Sequence, residues 1–389
     1  MSTPSPGAAS APLQLEPYLR LLSEKGGSDL FFTVGAPPQV KIEGEMRAIG
    51  QMPIPPGGVK EIIYPVLSPD QIARFERDLE LNLAKSLEGR GRYRINIFIQ
   101  RGEPALVIRH IKEVIPSFEQ LRLPLHLRDF AMEDRGLVLV VGATGSGKSS
   151  TLAAMIDHRA KSRSGHILTV EDPMEFAFRH GKAIVNQREV GVDTHSYANA
   201  LKEAMREAPN VILIGEIRDK ETMNHAIAFA DTGHLCLSTL HSTNSYQALD
   251  RILRFFPPEA RDQALMDLSL NLKAIISQRL VTGVNGKRLP AVEVMINSPY
   301  ISDLIRRGRV DELPAVMAKG GVSGMQTFDQ ALFDLFQQGL ISKEEALHQC
   351  DSRRDLEWRM NFGGEMVMPS TQEGSAEPLS PDASPLPAI

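Results

Sequence analysis

Residues 142–149 read Gly142-Ala143-Thr144-Gly145-Ser146-Gly147-Lys148-Ser149 and fit the G-x-x-x-x-G-K-[ST] spacing at every fixed position. The chemistry of such a loop is electrostatic. Its glycines let backbone N–H groups converge on the β-phosphate of a nucleoside triphosphate, and the dipole of the following helix adds positive potential. Lys148 reaches the β- and γ-phosphates, the Ser149 hydroxyl takes Mg²⁺, and Ser150 continues the nucleotide-binding segment into a helix. An apolar run at 137–141 precedes the loop and residues 150–156 follow it with helical character, so the strand, loop and helix that the motif requires occur in order.

Three further groups of reactive side chains lie just beyond apolar runs, where open α/β sheets bind ligands. The run at 167–170 leads into Glu171-Asp172-Pro173-Met174-Glu175; Pro173 lacks a backbone donor and stops the strand, so the acids fall in the crevice. Glu171, Asp172 and Glu175 are thus three candidates for orienting or deprotonating an attacking water, against the alternative that each caps the next turn. Residues 211–214 are apolar and lead to Gly215-Glu216, which resembles a Walker B strand whose carboxylate holds Mg²⁺. A glycine intervenes where many phosphate-loop proteins place Asp directly. His234 and His241 bracket the apolar run 235–240, an arrangement that sends one ring to the γ-phosphate and the other to a neighbouring subunit.

These residues need a scaffold of ordinary globular type. The 389 residues are 42% hydrophobic and 23% charged, enough for two folded domains. From about 15 to 112 a helix (15–24) and short strands near 29–33, 39–42, 92–98 and 105–109 predict a small α+β domain. Residues 113–117 read as a linker, and from 118 to 365 apolar strands at 137–141, 167–170, 211–214 and 235–240 alternate with helices, the pattern of a covered parallel sheet. Phe328, Leu332, Leu335 and Phe336 recur at helical spacing and read as core. Residues 1–13 and the proline-rich 366–389 are expected to be disordered, because they offer little apolar surface to offset ordering entropy. The formal net charge of -5 and the lack of a basic run argue against a nucleic-acid partner. Cys236 and Cys350 have no disulfide-framework or zinc spacing, and no signal peptide or membrane span is evident, so a cytoplasmic location is expected.

Taken in order, residues 142–149, 167–175, Gln187-Arg188-Glu189-Val190-Gly191, 215–219 and 232–241 resemble the secretion ATPases of the type II/type IV pilus superfamily. The resemblance runs from about 15 to 365 and is strongest to the PilT/PilU-type retraction branch. It implies an α/β fold with a PAS-like α+β N-terminal domain (14–112) and a P-loop, RecA-like ATPase domain. It also implies a homohexamer that uses ATP and Mg²⁺ to retract pili, a PilT-like partner ATPase, and an inner-membrane platform protein against which the ring lies peripherally. The matching positions make Glu175 the general base, Glu216 the Walker B residue and His234 with His241 the His-box. Arg94 and Arg109 are the arginines that the N-terminal domain offers to phosphates, a role suited to a planar and permanently charged fork.

Departures from the usual pattern refine the branch. Extension and secretion relatives carry a tetracysteine zinc module and a longer N-terminal region, and this chain has neither. Arg206-Glu207-Ala208-Pro209-Asn210 and Tyr300-Ile301-Ser302-Asp303-Leu304 differ from the PilT pattern and favour the PilU-type subfamily. Readings with the same fold remain: a docking or regulatory ring subunit with weak hydrolysis, a type II secretion or pilus extension ATPase, and a DNA translocase, which should show a basic channel.

Overall fold

The computed structural model describes residues 14–111 and 113–363. The tails expected to be disordered lie outside the described residues. The first sheet is antiparallel and six-stranded, built from β1 (Asp29–Phe32), β2 (Gln39–Ile42), β3 (Glu45–Ala48), β4 (Glu80–Leu87), β5 (Gly91–Gln100) and β6 (Glu103–Ile111), in the order β3-β2-β1-β6-β5-β4. Alternation along β5 explains its two faces. Tyr93, Ile95 and Ile97 enter the core with Leu19 and Leu22 of the helix Leu15–Glu24, while Arg92 and Arg94 alternate with them on the other side. Helices Gly58–Ile63 and Pro69–Asp78 complete the layer; a Ser68/Gln71 capping box starts the second.

The second sheet has seven strands. They are β7 (Gly136–Val141), β8 (Gly165–Glu171), β9 (Ala183–Glu189), β10 (Val211–Ile214), β11 (Leu235–Leu240), β12 (Leu272–Thr282) and β13 (Arg288–Ile296), ordered β13-β12-β7-β11-β10-β8-β9. Six are mutually parallel, and β13 closes one edge antiparallel to β12. The central strands β7, β10 and β11 are buried along their whole length because helices cover both faces, which is why β7 and β10 read as apolar runs, while β11 also buries Ser238 and Thr239, whose hydroxyls donate to the Ile214 and Gly215 carbonyls. The helix Phe328–Gln337 buries Phe328 and Leu332 in a separate C-terminal cluster, with Leu335 and Phe336 packed against it.

Four of the seven strands were expected at these places; β9, β12 and β13 were not, nor were β3, β4 and the helices between them. Strand β12 matters most. Pairing of Ser277 with Val141 sets the next residue, Gln278, beside the phosphate loop.

Candidate active site

The helix Lys148–Ser162 starts at Gly147 directly after the loop that leaves β7. Gly142 has φ +154, and a Cβ there would meet Ser146 Oγ at 2.4 Å and the Gln278 carbonyl at 2.5 Å, so only glycine lets the loop close against β12. Gln278 anchors the helix from below: its Oε1 accepts from Thr151 Oγ1 at 2.6 Å. Lys148 is 9% exposed and folds back over the loop, donating through Nζ to the Gly142 and Ala143 carbonyls, each at 2.9 Å. Burial pulls its pKa down, against the opposing pull of Glu216 and Glu175. Ser146 Oγ is buried and has no hydrogen-bond partner among the described residues.

The loop forms one wall of a cleft of about 480 Å³ whose lining also includes Glu171, Asp172, Glu175, Glu216 and His241. Here the ends of β8, β10 and β11 converge. Gly215 accepts from Thr239 Oγ1 at 2.7 Å and donates to the Val170 carbonyl at 2.8 Å, bolting the turn after β10 to its neighbours. A Cβ on Gly215 would stand 2.8 Å from the Tyr197 hydroxyl, which is why a glycine separates this strand from its acid. Glu216 then has two partners: Arg218 Nε donates to its Oε2 at 2.7 Å, and His241 Nε2 lies 3.2 Å from its Oε1. Burial and Lys148 lower the His241 pKa, which favours the neutral imidazole. Glu171 accepts from Thr169 Oγ1 at 2.8 Å and from Gln187 Nε2 at 3.1 Å; burial nevertheless pushes its carboxyl up to about 7. Glu175 is exposed to the cleft. Phe178, Leu280 and Arg288 also line it.

Three of the expected site residues sit elsewhere in this chain. His234 precedes β11, at the end of the sheet away from the phosphate loop, where its Nδ1 lies 3.1 Å from Thr232 Oγ1. Arg94 and Arg109 lie on β5 and β6 of the first sheet and do not line the cleft. Sequence reasoning missed Gln278, Arg218, Tyr197 and Arg288. Gln278 and Arg288 come from strands that were not foreseen, whereas Arg218 lay within the quoted 215–219 motif without a role. A wider groove of about 830 Å³ beside the helices Lys343–Gln349 and Arg353–Phe362 has no phosphate loop and is not a competitor for this chemistry.

The family model described as "Type II/IV secretion system protein" matches residues 94–303, which span the phosphate loop and the whole cleft described above. The chain belongs to this family. It is 49% identical over 354 residues to the type IV pilus ATPase PilU of Pseudomonas aeruginosa, covering 91% of this chain and 93% of that protein. It is 39% identical over 334 residues to the retraction ATPase PilT of the same organism, covering 86% and 97%. A crystal structure of the pilus retraction motor PilT with bound ADP superposes with a TM-score of 0.82 at 39% identity, over 89% of this chain and 99% of that one. Membership in this family of secretion ATPases makes the chain an ATPase with a P-loop, RecA-like domain behind a smaller N-terminal domain. Among the described residues no helix is long and apolar enough to cross a membrane.

Proposed function

We propose that the chain is a hexameric motor ATPase that couples ATP hydrolysis to type IV pilus retraction, as a PilU-type subunit beside a PilT-like ATPase. The observation that carries this reading is the convergence of Lys148, Glu175, Glu216 and His241 on one cleft with the phosphate loop. Lys148 and the loop N–H groups bind and orient the phosphates, and burial of the lysine strengthens each contact by excluding water.

The cradle also suits Mg²⁺. This ion keeps several waters and takes few protein ligands beside phosphate oxygens, and the described residues hold no ready-made cluster of three or more metal-ligating side chains. Ser149 and Glu216 are the groups that would hold it, and it would neutralise charge on the β- and γ-phosphates. Glu175, exposed to the cleft, accepts a proton from the attacking water. Neutral His241 beside Glu216 is placed to sense the phosphate end of the cleft.

Arg94 and Arg109 complete the site of a neighbouring subunit in the ring. No nucleic acid is involved, and the ring works against a membrane platform protein of the pilus machine. Purified protein assayed for Mg-dependent ATP hydrolysis, with and without a PilT homologue, tests this reading. Turnover that requires Mg²⁺ supports it; no turnover under either condition makes the chain a docking subunit instead.

A further inference from the structure

One side chain on β9 makes three polar contacts that the chemistry above does not use. Parallel register sets Gln187 opposite Thr169, two residues before Glu171. Its Nε2 donates to Glu171 Oε1 at 3.1 Å and to the Phe176 carbonyl at 2.9 Å, while its Oε1 accepts from the Phe178 N–H at 2.8 Å. Glu175 lies inside the span that these contacts close. That span leaves β8 at Glu171 and runs over Pro173 with no helix or strand of its own before β9 begins at Ala183. Phe176 is its one β-bridge residue, so most of the span's backbone ordering has to be supplied by other contacts.

An amide is the group that suits this place. It presents two N–H donors and a carbonyl acceptor at once, whereas a carboxylate only accepts and an apolar side chain does neither. Both ends of the Glu175 segment are therefore held by one residue, and Thr169 Oγ1 adds a second donor to the same Glu171 oxygen at 2.8 Å.

We propose that Gln187 is a positioning residue for hydrolysis, clamping the segment from Glu171 to Phe178 so that Glu175 faces the phosphates. This rests on the reading of Glu175 as the general base. A displacement of about 1 Å at a reacting group costs on the order of a hundredfold in rate, so release of the clamp is felt in turnover and not in phosphate binding, which the loop at 142–149 provides.

The test uses the full chain with Gln187→Met, which keeps the length and removes all three hydrogen bonds, and Gln187→Glu, which keeps only the acceptor when ionised. For each, kcat and KM for MgATP, the affinity for a fluorescent non-hydrolysable ATP analogue, and the pH profile of kcat are measured. Gln187→Met is expected to lose at least about tenfold in kcat at every pH, with KM and analogue affinity within about twofold of wild type. Gln187→Glu is expected to be as slow near pH 8 but to recover relative to Gln187→Met as pH falls and the new carboxyl takes up a proton, because the protonated acid regains one donor.

A generic packing defect has no such pH recovery and lowers affinity along with turnover. Wild-type kcat in Gln187→Met, or in Gln187→Glu near pH 8 should the Met variant fail to fold, overturns the proposal; so does a loss of affinity that matches the loss of kcat. Glu175→Gln assayed alongside separates the two claims. Wild-type hydrolysis in that variant removes the base reading and this proposal with it, whereas an inactive Glu175→Gln beside a normal Gln187→Met overturns the clamp alone.

Discussion

Arg94 and Arg109 are directly opposed across β5 and β6, and each is matched by a carboxylate of the same chain. Arg109 Nε donates to Asp29 Oδ1 at 2.7 Å, and Arg94 Nε lies 3.5 Å from Glu189 Oε1. Like charges at opposed positions repel, and the two acids offset that repulsion. Their placement differs in a way that matters for a ring. Asp29 is in the same sheet and leaves Arg109 62% exposed, whereas Glu189 belongs to the ATPase domain, is 1% exposed and leaves Arg94 only 27% exposed. Arg109 can thus meet a neighbouring subunit without losing a partner, but Arg94 must first leave a buried carboxylate.

A trans contact predicts complementation. Arg109→Ala subunits have intact phosphate loops, and Lys148→Ala subunits have intact arginines, so each alone is expected to be inactive and their mixture to recover hydrolysis at mixed interfaces. The same holds for Arg94→Ala. Phosphate release from rings shown to be mixed by mass photometry is the measurement; no recovery would mean that these arginines act within their own subunit or not at all.

Lys148→Ala and Glu216→Ala are each expected to lower turnover by at least about a hundredfold, the scale of removing one preorganised charge from a phosphoryl-transfer site. Lys148→Ala also weakens nucleotide binding, because its ammonium bridges the Gly142 and Ala143 carbonyls where the phosphates would lie. Steady-state phosphate release with nucleotide titration checks both.

Glu175→Gln preserves shape and removes basicity. Turnover is expected to fall by about 10²- to 10⁴-fold while nucleotide affinity holds. If Glu171→Gln or Asp172→Asn is inactive and Glu175→Gln is not, the base is reassigned to that residue.

Glu171 supplies a pH dependence of stability. Its carboxyl is raised from 4.5 to about 7 in the fold, chiefly by burial. Between those values the folded chain holds a proton that the unfolded chain has lost, so stability falls as pH rises through the window and is level above about 7. The contribution is at most about 3 kcal/mol. Thermal melting of wild type against Glu171→Gln should show the difference narrowing or reversing as pH rises from about 4.5 to about 7; a constant difference would contradict it.

What the sequence made legible follows from what each element buries. Strands β7 and β10 are enclosed on both faces and read as apolar runs, β11 is enclosed likewise but buries Ser238 and Thr239, and the phosphate loop is set by local backbone geometry, so its spacing and its flanking strand and helix identified it. Strand β3 is exposed at all four residues and leaves no pattern to read. Strand β9 alternates buried and open positions through Ala183 to Asn186, a weaker signal beside its apolar neighbours. Gln278 and Arg288 enter the site through the register of β12 and β13, a long-range property that no local window contains. His234 shows the limit of spacing arguments: a strand of six residues separates it from His241, and so carries it to the opposite end of the sheet.

Retraction is tested most directly in cells. In a strain that lacks this protein, surface pili counted by electron microscopy should remain while retraction events of labelled pili and twitching motility are lost or weakened, and restoring the wild-type chain should reverse the defect. Glu175→Gln should fail to restore it, or restore it partly where a PilT-like partner supplies most of the hydrolysis. Loss of surface pili on deletion would contradict a retraction role and assign the chain to pilus extension or secretion.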